Sequence, residues 1–313
     1  MNALLFPGQG SQAVGMGLEL FNKFEIVKKI FKQADERLNF SISKIILDGP
    51  ENELQLTQNT QPAILTVSYS IFKVLEEEYG FDFKSFKFFA GHSLGEYSAL
   101  VCSSALNFDD ALYLLFERGK AMQDAVPIGK GKMIAVLGIK NKELLDLLKL
   151  NNYEEGVCEI VNDNAEGQII ISGNKLSVNS LQKVLKEKKI KSIPLKVSAP
   201  FHCSLMKPAA KIMSEKINKI NFNKPFLDII NNVTAFPSND PISIKKLLIE
   251  QIYSTVKWRQ SIIKMQELSV KNFVEIGPGK VLNGMVKRTV KNVNCFSINS
   301  IADMKIFLDE FKK

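Results

Sequence analysis

A serine acts as a nucleophile when a turn exposes it and a base takes its proton. The segment Gly91-His92-Ser93-Leu94-Gly95 suits the first condition. This GxSxG follows the apolar run Phe86 to Ala90 and precedes a helical pattern over about 94 to 104. In such a strand-turn-helix context glycines let the chain close around a strained turn, and the hydroxyl of Ser93 projects at a helix N-terminus. There the amide of Leu94 and the helix dipole can stabilise an oxyanion. The alternative is an incidental tight turn.

The chain has two histidines, His92 and His202, so any imidazole base is one of them. His92 adjoins Ser93, and consecutive side chains at such a junction point apart. His202, in Ala199-Pro200-Phe201-His202, falls in a loop where residues that line a cleft are expected. Arg118 is the third informative residue. It follows Ala111, Leu114 and Leu115 by seven, four and three positions and precedes Met122 by four, so it projects from the apolar face of its helix. A cation there needs an anion, either a protein carboxylate such as Glu96 or a carboxylate on the substrate.

The elements that must position these groups follow from the pattern. Residues 3 to 6 and 86 to 90 read as buried strands, with helices at 15 to 22, 25 to 38 and 61 to 79, the last capped by Thr60 with Pro62 in its first turn. Further helices fall at 108 to 123, 204 to 220, 243 to 254, 258 to 268 and 280 to 289, and strands at 227 to 231, 272 to 276 and 294 to 298. Alternation of this kind predicts an α/β fold with a mainly parallel, helix-covered sheet. Between the halves, strand 132 to 139, helix 141 to 150, strands 157 to 162 and 167 to 172, helix 175 to 189 and strand Lys191 to Val197 run βαββαβ, the ferredoxin-like order. The expected division is a discontinuous large domain, 1–126 and 198–313, with a small subdomain, 127–197, inserted into it. A cleft between the two is a natural ligand site.

Composition narrows the function classes. The 313 residues are 45% hydrophobic and 24% charged, which describes a globular protein with ample core. No apolar run reaches the roughly 18 residues of a membrane span, and Met1 to Pro7 lacks the basic region of a signal peptide. A cytoplasmic protein with no membrane partner is expected. Cys102, Cys158, Cys203 and Cys295 show neither CxxC nor zinc spacing, so reduced thiols and no metal are expected. Lys and Arg number 41 against 33 Asp and Glu, but the excess is scattered without aromatic interleaving, which disfavours nucleic acid. Gly8 to Ala13 formally fits GxGxxG/A, yet Pro7 interrupts the junction and a helix stands where the second strand of a dinucleotide fold belongs.

Taken in order, FPGQGSQ at 6 to 12, TQPA at 60 to 63, GHSLGEYSAL at 91 to 100, RGK at 118 to 120, APFH at 199 to 202 and EIGPGKVL at 275 to 282 closely resemble the malonyl-CoA:acyl carrier protein transacylases of type II fatty-acid synthesis. The resemblance runs from about residue 3 to 300. It implies an α/β-hydrolase-like core and a ping-pong transfer of malonyl from malonyl-CoA to the phosphopantetheine thiol of acyl carrier protein. In that scheme Ser93 is the nucleophile, His202 the base, and the amides of Gln9 and Leu94 the oxyanion hole. The carbonyl of Gln251 orients His202, and Arg118, Phe201 and Gln61 contact the substrate. No cofactor is implied, because the CoA thioester is itself the substrate. A bulky Phe201 favours malonyl over methylmalonyl.

Thr255 stands where the family usually has proline, so the loop after Gln251 is expected to be less rigid. The net charge of +8 suits an acidic carrier protein steered by rim residues such as Lys257, Arg259, Lys280, Lys287 and Arg288, and a monomer is expected. Two rival readings exist. A serine hydrolase of the α/β type would place its histidine near the C-terminus, and gives Arg118 no role. A catalytically silent docking subunit would not need both Ser93 and His202.

Overall fold

The computed structural model describes residues 1–150, 156–195, 197 and 199–311. Ten strands lie among the described residues: β1 Asn2–Phe6, β2 Phe88–Gly91, β3 Gly131–Leu137, β4 Cys158–Ala165, β5 Gln168–Asn174, β6 Lys191–Pro194, β7 Asp228–Ile230, β8 Pro237–Ser238, β9 Asn272–Ile276 and β10 Asn294–Ile298. They form two sheets. The first runs β10-β9-β1-β2-β7-β8, parallel throughout except for the β7 and β8 pair. Its central strands are mostly apolar and buried on both faces, as a helix-covered parallel sheet requires, with Glu275 of β9 the buried exception. The second is antiparallel, β4-β5-β3-β6, with helices Asn141–Leu150 and Lys175–Glu187 in its connections. The fold is therefore mixed α/β with two separate sheets.

Several boundaries differ from the pattern. The third helix starts at Thr57, and Thr60 is not its cap. The Thr60 hydroxyl is buried inside the helix and donates to the carbonyls of Leu54, at 2.5 Å, and Leu56, at 3.1 Å. Pro62 accordingly sits in the second turn, and the helix closes in a π turn at Val74–Glu78. Short helices Ile42–Leu47 and Glu51–Gln55 fill what read as loop. The strand expected over Lys191 to Val197 ends at Pro194, and Lys196 lies outside the described residues.

Strand β4 is the edge of the antiparallel sheet, yet its backbone is not left open. Val256 donates its amide to Val161 at 2.8 Å and accepts from Asp163 at 3.0 Å. The buried Asp163 carboxylate receives Nε and Nη2 of Arg259, both at 2.8 Å, and Nε2 of Gln260. Thr255 donates its hydroxyl to the carbonyl of Ile160 at 2.7 Å. A proline at 255 could make no such bond. Arg259, expected as a free rim cation, is instead paired with Asp163.

Candidate active site

Ser93 sits in the turn between β2 and helix Gly95–Cys102, in the left-handed region at φ +54°. Both flanking glycines are required by close approach. A Cβ on Gly91 would lie 1.9 Å from the Gly95 carbonyl, and one on Gly95 would lie 2.2 Å from the Phe6 carbonyl oxygen. The turn is pinned from a neighbouring strand end: Asn232, just past β7, accepts the Ser93 amide at 2.7 Å and donates to the Gly91 carbonyl at 2.7 Å.

His202 arrives on the loop before helix Lys207–Lys219, also at positive φ, +59°. The loop is held by β4, where Glu159 accepts both the amide and the hydroxyl of Ser204. Nε2 of His202 is 2.8 Å from the Ser93 hydroxyl and Nδ1 is 2.8 Å from the Gln251 carbonyl oxygen. A carbonyl only accepts, so Nδ1 carries the proton and Nε2 is free to take one. Burial pushes the His202 imidazole down to about 3, with the nearby Arg118 cation acting in the same direction. The ring is neutral near pH 7. His92 turns away, its Nε2 2.8 Å from Asn164 Oδ1 and its ring edge-on to Trp258.

Arg118 is 1% exposed on helix Phe108–Asp124. Its Nη1 donates to Gln61 Oε1 at 2.7 Å, and its Nη2 to the Ser93 hydroxyl at 3.1 Å and to Gln251 Oε1 at 2.9 Å. Nε has no partner, and among the described residues no carboxylate lies within ion-pair distance. The internal ion pair with Glu96 is thus absent. The Gln251 side chain stands between the two charges, its Nε2 2.8 Å from Glu96.

A cavity of about 450 Å³ collects Gln9, Gln61, Ser93, Leu94, Arg118, Phe201 and His202. Gln251 lies behind it, reaching the site through His202 and Arg118. No described residue accepts the amides of Gln9 or Leu94. Asn162, Asn164, Gln168 and Ile170 bring the antiparallel sheet to the cavity, and Val281, Leu282 and Met285 bring helix Val281–Thr289 to it. That helix also carries the exposed Lys287 and Arg288. Sequence reading missed Asn231, Asn232 and the side chain of Gln251. The available signal was an Asn pair at the carboxyl end of a strand, where ligands of parallel sheets gather. Among the described residues no group of His, Cys, Asp or Glu is placed to hold a metal, and no helix is long and apolar enough to cross a membrane.

A serine hydrogen-bonded to a neutral imidazole, free amides and a buried cation with no carboxylate partner share one cavity, an arrangement that suits acyl transfer from an anionic acyl donor. Comparison with known proteins agrees. The acyl transferase domain family matches residues 3–308. The malonyl CoA-acyl carrier protein transacylase of Haemophilus influenzae is 42% identical over 311 residues, covering 99% of this chain and 98% of that protein. The solved acyl-carrier-protein-S-malonyltransferase of Bartonella henselae superposes with a TM-score of 0.96 at 38% identity, covering 100% and 99% of the two chains. A malonyl-transacylase solved in complex with its type II PKS acyl-carrier protein gives 0.94 at 37% identity, covering 99% of each chain. This chain is an acyltransferase and belongs to the acyl transferase family, among the malonyl CoA-acyl carrier protein transacylases.

Proposed function

We propose that the enzyme moves malonyl from malonyl-CoA to the phosphopantetheine thiol of acyl carrier protein in two half-reactions through a malonyl ester on Ser93. Nε2 of His202 takes the Ser93 proton as Oγ attacks the thioester carbonyl, and the amides of Gln9 and Leu94 receive the oxyanion. Collapse breaks the carbon-sulfur bond, and the leaving thiolate takes the proton from His202. The carrier thiol then gives its proton to His202 and attacks the ester, and Ser93 leaves with that proton. The Gln251 carbonyl holds the tautomer throughout. Arg118, positioned by Gln61, binds the malonyl carboxylate, and Phe201 fills the space an α-methyl would need.

The observation that carries this reading is a buried, carboxylate-free Arg118 in hydrogen-bond contact with the nucleophile. A neutral ester gives that cation nothing to do. Residues 127–197 are read as a ferredoxin-like insert in an α/β-hydrolase-like large unit, their junction forming the cleft. Lys280, Lys287 and Arg288, all exposed, are the rim cations for an acidic carrier protein.

The test is transfer to a holo carrier protein from malonyl-CoA and acetyl-CoA in parallel. The wild type is expected to prefer malonyl-CoA and Arg118→Ala to lose most of that preference. Equal preference in both proteins would refute the clamp, and hydrolysis without transfer would return the site to a hydrolase.

A further inference from the structure

Glu96 is a buried carboxylate, 1% exposed, with no step of the reaction assigned to it. It lies in the first turn of helix Gly95–Cys102, three residues after the nucleophile. Its oxygens accept from Asn231 Nδ2 at 2.5 Å, the Asn232 amide at 3.2 Å and Gln251 Nε2 at 2.8 Å. Burial pushes the Glu96 carboxyl up to about 7, while these donors and Arg118 oppose that rise. A group receiving three N–H donors is built to be an acceptor.

The Gln251 amide is fixed from both ends. Nε2 donates to Glu96 and to the Ser93 carbonyl, at 2.8 and 3.0 Å, while Oε1 accepts from Arg118 at 2.9 Å. Turned over, it would set an oxygen against a carboxylate and a carbonyl, and an NH2 group against a guanidinium. Both contacts repel. Gln251 therefore links Glu96 to Arg118 through its two hydrogen bonds and keeps the carboxyl from pairing directly with the guanidinium, a pairing that would consume it.

We propose that Glu96 is a specificity-determining positioning residue: it orients the Gln251 amide, which aims Arg118 at the cavity and leaves it unpaired for the carboxylate of the acyl group. This rests on the reading of Arg118 as the acyl-carboxylate clamp. Glu96→Gln puts a donor where three donors converge and releases the Gln251 amide to either orientation. Acetyl transfer does not use the clamp.

The experiment compares kcat/KM for malonyl-CoA and acetyl-CoA in the wild type, Glu96→Gln, Arg118→Ala and the double variant, with thermal unfolding to establish folding. A displaced hydrogen bond to a charged group corresponds to about a tenfold fall in the malonyl-to-acetyl ratio in Glu96→Gln. The fall is expected through KM for malonyl-CoA, with no further fall when Arg118 is already Ala. An unchanged ratio in folded Glu96→Gln, or the same fall in both backgrounds, overturns the proposal. Should Arg118→Ala itself keep the wild-type ratio, the clamp reading fails, and the positioning role with it. Should Glu96→Gln not fold, Gln251→Glu carries the test: its carboxylate pairs with Arg118 and the ratio falls, and an unchanged ratio overturns the proposal.

Discussion

His202 works beside a cation, and that sets its pH behaviour. Burial first, then Arg118, then His92, all disfavour the imidazolium, and only the Gln251 carbonyl favours it. Its pKa falls from the ordinary 6.5 to about 3. The His202 imidazole therefore stays deprotonated through the range in which a free histidine takes up its proton. The sign for stability follows: below 6.5 the unfolded chain takes up a proton at this position that the folded protein excludes, so this contribution is lost as pH falls from 6.5 toward 3. For activity, kcat/KM with acetyl-CoA, whose acyl group does not ionise, is expected to stay level as pH drops through 6.5. Glu96, pushed up to about 7, titrates in the same range. A pH profile is therefore recorded for the wild type and Glu96→Gln, and an acid limb near 6.5 present in both would contradict the assignment.

The residues that were legible are those whose chemistry leaves a pattern. Glycines on either side betray Ser93, a count of two histidines isolates His202, and a cation on an apolar stripe exposes Arg118. Gln251 was reached through family resemblance alone, because a backbone carbonyl has no side-chain signature. The neutral amides of Asn231, Asn232 and Gln251 have no periodicity or charge that marks them either.

Among the elements, the crossing of helices Thr57–Lys73 and Phe108–Asp124 matters most to the site. Gly119 meets Gln58 there so closely that a Cβ would lie 2.4 Å from the Gln58 Cα. Gln61, one turn further along, holds Arg118, the neighbour of Gly119. Gly119→Ala must push the helices apart, and overpacking of this kind costs about 1–3 kcal/mol. Urea unfolding is expected to show that loss, together with a raised KM for malonyl-CoA as Arg118 moves off Gln61. Unchanged stability would mean that the crossing yields without strain. The order and type of the main elements were readable from period and punctuation. Thr60 misled because a threonine three residues before an apolar run looks like a cap, whereas tertiary packing carries the helix one turn further back.

At the scale of the molecule, strand β4 connects the parts. Its Glu159 holds the loop after His202, its Ile160 and Val161 hold the loop after Gln251, its Asp163 takes Arg259, and its Asn164 meets His92. The antiparallel sheet is thus stitched to all three segments that bring Ser93, His202 and the Gln251 carbonyl together, and its residues share one cavity with Ser93 and His202. Alternating elements made the two sheets legible, but nothing local in β4 announces contacts made nearly a hundred residues away.

In the proposed reaction Ser93 carries malonyl between two thiols. Intact mass after mixing with malonyl-CoA, without carrier protein, tests it most directly. The wild type is expected to gain one malonyl group, Ser93→Ala to gain none, and holo carrier protein to discharge the adduct. Transfer to the carrier at full rate by Ser93→Ala, or an adduct that holo carrier protein does not remove, would contradict it.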